Sequence, residues 1–147
     1  MNPILFRTQI AEIIAALGLR PWNKDYVKQT PPAQVILGAN DFATSYQDML
    51  NRGISGYDKY AHAKANANAT KRGFYGEKTA QVISALREFN DALKHYDQEP
   101  IDLVFDIQED LDADKYGREQ AKKYPHKNTH DIIPKYWIKN SAGHVVK

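Results

Sequence analysis

Three observations predict an all-α fold. Apolar residues return every three or four positions in five separate segments. Nowhere does a useful length of chain alternate apolar and polar residues as a half-buried strand would. Proline and glycine sit at the segment edges, at Pro3, Gly18, Gly53, Gly73, Pro100 and Gly117.

Asn2-Pro3 reads as an N-cap followed by proline in the first helical turn. Phe6, Ile10, Ile13, Ile14 and Leu17 then share one helix face, and Gly18 closes the helix. Residues 1–20 are thus expected to form an amphipathic arm. Its polar face is poor in Lys, which weighs against a membrane-surface helix. Residues 21–33, with Pro21, Pro31 and Pro32, read as an extended connector. Residues 34–147 are expected to form a helical bundle, with a C-terminal tail from about 118.

The second helix starts at about Ala33 or Asp41 and runs to Asn51, through Val35, Ile36, Phe42, Tyr46, Met49 and Leu50. Gly38 weakens its first part. The third, about 56–72, carries the stripe Tyr57, Tyr60, Ala61, Lys64, Ala65, Asn68 and Ala69. Small residues there let a neighbouring helix approach closely. Gly73 and Gly76 are expected to bracket a tight turn that uses positive φ. In the fourth helix, about 76–95, Thr79, Val82, Ile83, Leu86, Phe89, Asn90 and Leu93 read as the buried face. The fifth begins at Pro100 and ends at Gly117, with Leu103, Val104, Ile107 and Leu111 inward. Asp106, Glu109, Asp110, Asp112 and Asp114 give it a strongly acidic face, read as solvated or as satisfied by the basic tail. After Arg118 periodicity fades. Tyr124-Pro125, Ile132, Ile133, Pro134, Tyr136 and Trp137 read as anchors of a segment laid across the bundle.

Composition excludes several function classes. The chain has no cysteine, so disulfides, thiolate zinc sites and a cysteine nucleophile are all removed. Its 20 basic and 18 acidic residues give a net charge of +2, too balanced to favour nucleic acid. Lys115, Arg118, Lys122, Lys123, Lys127, Lys135, Lys139 and Lys147 thicken the C-terminal end without collecting on one face. No apolar run approaches the roughly 20 residues that span a bilayer. Arg7, Glu12 and Arg20 interrupt the apolar start, so no signal peptide is read there and the chain is expected to be soluble.

Candidate sites are few. His62 follows Asp58 by four residues, on one helix face, so the two form the base pair to test if the chain is enzymatic. No nucleophile motif accompanies them, and a structural histidine bonded to a neighbouring helix is the stronger reading. His126 and His130 have the spacing of two ligands on one helix turn, but Pro125 places them in a tail, and they are weak metal candidates. The acidic face lacks the spacing and central glycine of a calcium loop. Glu77, Glu88, Asp106 and Glu109 offer carboxylates for glycosidase chemistry, but only geometry could qualify them. Asn66 and Asn68 point to opposite sides of their helix, one of them suited to bond a tail carbonyl or to close a helix end. Lys71-Arg72 sits at a helix C-terminus, where the dipole favours cations. No cofactor and no metal is expected.

Asp58-Lys59-Tyr60-Ala61-His62-Ala63, followed by Asn66 and Asn68-Ala69-Thr70-Lys71-Arg72-Gly73, resembles the central motif of the serum amyloid A family. Ala80, Val82-Ile83-Ser84 and Arg87-Glu88 are similar to its next helix. Ala113 with Tyr116-Gly117-Arg118, then Pro125-His126 and Pro134-Lys135-Tyr136, resemble its closing helix and tail. Tyr46, Asp48 and Met49 are similar to the end of its first helix. The likeness spans roughly residues 45–137. It implies a four-helix bundle wrapped by a C-terminal tail, here with an added N-terminal helix. It implies structural polar roles for Arg87, Asp110 and Arg118. It also implies binding of lipid and small apolar ligands through apolar helix faces, and self-association. The sequence departs from the pattern in several places. No counterpart of the family's secretion signal is read, and the Pro-containing connector and added helix stand where the family has an apolar lipid-contacting first helix. Gly73-Phe74-Tyr75-Gly76 replaces a Gly-rich turn, Ala61 stands where an aromatic is expected, and Asp114 where Asn is expected.

The sequence thus reads as a non-enzymatic binding and assembly module. Phe6, Ile10, Ile13, Ile14 and Leu17 are its leading binding candidates, for lipid, an apolar ligand or a second copy. The alternatives are a bacterial or phage effector, a toxin domain or particle-carried protein delivered to a cell, and a structural component of a virion or larger assembly. Those readings place the chain in a bacterial cytoplasm or phage particle, or exported by a specialised secretion system.

Overall fold

A computed structural model describes residues 30–94 and 100–146. Four long helices, α1 (Pro31–Arg52), α2 (Tyr57–Lys71), α3 (Phe74–Lys94) and α4 (Pro100–Lys123), precede a short α5 (Thr129–Ile132) and a 3-10 turn at Pro134–Tyr136. The only extended pairing among the described residues is an isolated antiparallel bridge between Lys139 and Val145. The all-α class and the wrapped tail are as expected. The Phe6-to-Leu17 arm and most of the connector lie outside the described residues.

α1 begins at Pro31, inside the expected connector. Its first two residues are prolines, whose missing N–H groups would have no helical partner in that turn anyway. It runs unbroken through Gly38, where α2 and α3 press close: a Cβ there would lie 3.5 Å from both the Ala69 Cβ and the Gly76 Cα. Gly53 ends it in the left-handed conformation, donating its N–H to the Met49 carbonyl.

α2 is the central rod. Alanines 61, 63, 65, 67 and 69 are all buried, so α2 is enclosed on nearly every side. It packs on α1, α3 and α4, whereas α3 and α4 touch each other far less. Two glycines make the crossings. A Cβ on Gly76 would lie 2.1 Å from the Ala69 carbonyl oxygen, and one on Gly117 would lie 2.2 Å from that of Ala63. Gly117 is therefore a packing residue and not the expected helix end: α4 continues to Lys123, so the tail starts later than 118. Gly76 is likewise helical, and Gly73 alone supplies the positive φ of that turn.

The tail covers α2's outer side. Ile132 and Ile133 are buried against Tyr57, Tyr60, Ala61, Ala63 and Ala67, with Tyr136 and Trp137 packed beside them. A second cluster joins Phe42 and Tyr46 of α1 to Ala65, Ala69 and Ala80.

The expected faces of α3 and α4 are overturned. α3 buries Gly76, Ala80, Ser84 and Glu88, while Val82, Leu86, Phe89 and Leu93 stand exposed. On α4, Val104 and Leu111 are exposed, and Leu103 lies outside the described side chains; Ala113, Asp114, Gly117 and Ala121 face inward instead. The reason is α2. Its small residues bring the partner helices so close that only small or hydrogen-bonding side chains fit between them. Larger side chains are displaced to the outside.

Candidate functional site

Two features stand out at the surfaces of α3: a buried polar network on its inner side and an apolar face on its outer side.

The network is centred on His62, which is fully buried. Its Nδ1 lies 2.8 Å from Asp114 Oδ1 on α4. Arg87 of α3 contacts Nε2. A guanidinium can only donate, so Nε2 accepts and Nδ1 carries the proton that Asp114 receives. Asn66, one turn along α2, donates to the His62 carbonyl at 3.0 Å and to Asp114 Oδ1 at 2.6 Å. Its own Oδ1 accepts from Arg118 at 2.6 Å and from the Ser84 hydroxyl at 3.3 Å. Arg87 also donates to the Tyr46 hydroxyl at 2.6 Å and lies over that ring, 4.0 Å from its centroid. Burial pushes the Tyr46 phenol up. Lys59 pairs with Asp110, whose Oδ2 lies 3.5 Å from His62 Nε2. Glu88 completes the group: burial first, then the charges of Asp110 and Asp114, push its carboxyl up to about 7. Two buried oxygens here, Glu88 Oε1 and Asp114 Oδ2, have no hydrogen-bond partner.

The His62–Asp58 pair of the enzymatic alternative is not formed. His62 takes Asp114 and Arg87, while the ion partner of Asp58 is its neighbour Lys59, at 3.5 Å. The ring is fully buried, with Nδ1 on Asp114 and Nε2 on Arg87. Arg87, Asp110 and Arg118 do meet around it, although Arg118 bonds the amide of Asn66 and not a carboxylate. Asp114, counted with the solvated acidic face, is wholly buried.

His126 and His130 do not converge. His126 is exposed, and the His130 ring is stacked on Trp137, with Nδ1 2.8 Å from the Tyr60 hydroxyl. The Lys71-Arg72 pair has specific partners beyond the helix dipole. Arg72 grips both oxygens of Asp41 at 2.9 Å, tying α2 to α1. Lys71 reaches the Lys127 carbonyl and the Thr129 hydroxyl of the tail. Asn68 bonds the tail, though by accepting from the Thr129 hydroxyl at 2.6 Å and not through a tail carbonyl. These groups border a polar cleft of about 1050 Å³ whose cations largely face protein partners.

The outer face of α3 is different in kind. Val82, Leu86, Phe89 and Leu93 follow one another at helical spacing, each more than half exposed. Beside them, a groove of about 300 Å³ between α1 and α3 is lined by Ala43, Met49, Leu50, Ile83 and Leu86, with Arg87 and Asp91 at its polar side. Val104 and Phe105 add exposed apolar surface on α4. No helix among the described residues is long and apolar enough to cross a membrane.

Comparison with known proteins gives a consistent result. A family model described as serum amyloid A protein matches residues 29–136. Serum amyloid A protein of the wallaby Notamacropus eugenii is 34% identical over 80 residues, covering 54% of this chain and 61% of the relative. Serum amyloid A-2 protein of the pig is 39% identical over 85 residues, covering 55% and 64%. The sheep protein is 36% identical over 91 residues, covering 58% and 75%. The chain thus spans less than two thirds of the first two relatives' lengths. All three are animal proteins and lend no support to the bacterial or phage setting that the sequence suggested.

Proposed function

The chain belongs to the serum amyloid A family, and from that premise we propose that it is a non-enzymatic helical module that docks its outward apolar face on lipid. One observation carries this reading. α3 is amphipathic in the reverse of the usual sense, with small and polar residues buried and Val82, Leu86, Phe89 and Leu93 exposed. Covering a large apolar side chain is worth about 1.5–3 kcal/mol, so a surface that covers four of them gains several such increments. Lys78 and Lys94 stand at the two ends of the stripe, where cationic heads reach the headgroup layer while their stems follow the apolar surface. The resemblance drawn from the sequence implies the same mode of binding. Phe6, Ile10, Ile13, Ile14 and Leu17 would supply a second face of the same type.

Flotation with phosphatidylcholine vesicles tests the reading. The unaltered chain is expected to float with the vesicles, and Leu86→Glu/Phe89→Glu is expected to stay behind with its helical circular dichroism unchanged. A double variant that floats like the parent would overturn the assignment to α3. Sedimentation velocity over a range of concentrations, without lipid, separates the rival occupant: if the stripe instead pairs two copies, the parent sediments faster as concentration rises and the double variant does not.

A further inference from the structure

We propose that His62, Glu88 and Asp110 form a site for one divalent transition-metal ion of the zinc class, with Asp114 orienting the imidazole. The three residues come from α2, α3 and α4, and each places one ligand atom within 4.8 Å of the other two. One imidazole nitrogen and two carboxylate oxygens suit a borderline divalent ion.

A second observation points to a ligand independently. Glu88 is only 6% exposed, and its Oε1 has no hydrogen-bond partner. A buried carboxylate oxygen left without a donor is costly, and a cation at the trio removes that cost. The neighbouring groups set the tautomer that the site needs. Asp114 receives the Nδ1 proton of His62, so the lone pair is on Nε2, the nitrogen that faces Asp110. A carboxylate holding the far nitrogen of a ligating imidazole is the usual outer support of a metal-bound histidine. Asp110 divides its oxygens, with Oδ1 on Lys59 and Oδ2 toward His62.

Arg87 now occupies that lone pair with its own positive charge. Guanidinium and metal therefore exclude each other. Displacement shifts Arg87 Nη1, the atom that also bonds the Tyr46 hydroxyl, while Asp91, 3.8 Å from Arg87 Nε, remains to hold the guanidinium.

The test is titration of the chelator-treated full chain with zinc, and with cobalt as a visible probe, near neutral pH. One saturable equivalent is expected. Glu88→Gln should abolish it, and Asp114→Asn should weaken it about tenfold. His126→Gln/His144→Gln, which removes exposed imidazoles, should leave it intact. Absence of a saturable equivalent, or Glu88→Gln binding like the parent, would overturn the site. If Glu88→Gln fails to fold, nitrogen NMR on the parent decides: zinc should move His62 Nε2 while Nδ1 keeps its proton. An unmoved His62 at saturation also refutes the proposal.

Discussion

α2 and α3 lie side by side, yet they satisfy burial in opposite ways. α2 is buried almost all round with hardly a large aliphatic residue, relying on alanines, tyrosines, His62 and Asn66. α3 owns the large aliphatic residues and leaves most of them outside. The difference teaches that hydrophobicity alone does not decide which face of a helix is buried. At the short separation set by Gly76 and Gly117, an alanine or a fully bonded asparagine fits where a leucine cannot.

The comparison breaks most directly where α2 meets a full-sized side chain. Phe42, fully buried against α2, is the exception that fills space; Phe42→Ala should cost about 3–5 kcal/mol in urea unfolding. Asn66→Ala is next. It strands Asp114, Arg118 and Ser84 together, and about 3 kcal/mol of lost stability is expected. Gly117→Ala should cost a similar amount, about 3 kcal/mol, because its Cβ meets the Ala63 carbonyl of a rigid helix. Its signature differs from that of Asn66→Ala: Ala63→Gly should not restore stability, because the obstacle is backbone.

Much of this contrast was legible in the sequence, and the remainder has a physical cause. The Ala-rich run of α2 predicted close packing, and the aromatic spacing from Tyr124 to Trp137 predicted a tail that lies on the bundle. Helix periodicity located α3 within two residues at its start. It assigned the wrong face, since a period reports that a helix has two sides without reporting how much room lies beside each. Gly117 read as a helix end for the same reason, as a missing side chain serves termination and close crossing equally well. The reading of His62 as a structural histidine bonded to a neighbouring helix matches the geometry, but the partner itself, Asp114, lies 52 positions on and no local spacing marks it; Asp58 belongs only to the enzymatic alternative. The one available signal was the aspartate at 114 where the resemblance leads one to expect asparagine.

A pH measurement sharpens the inner side of α3. Glu88's folded carboxyl is raised to about 7 from its ordinary value of 4.5, so the folded state holds a proton there that the unfolded state releases. Its contribution is therefore fully present below pH 4.5 and is lost as pH rises through about 7. With chelator present, Glu88→Gln should flatten the fall in stability between those limits. An equal fall in parent and variant would show that another group governs it.

The smallest expected effect is the most telling for the outer side. Phe89 is 65% exposed and Phe42 is 0% exposed, so one residue type samples both environments on adjacent helices. Phe89→Ala should change unfolding free energy by no more than about 0.5 kcal/mol, where Phe42→Ala is expected to cost several times that. Little water is displaced from Phe89 on folding, so little transfer energy is lost on truncation. Added phosphatidylcholine vesicles should then separate the two proteins: lipid raises the parent's unfolding midpoint and raises that of Phe89→Ala less, because a ligand stabilises only the state that binds it. A cost for Phe89→Ala near that of Phe42→Ala, without lipid, would mean that the stripe is covered in solution by other parts of the chain or by a second copy.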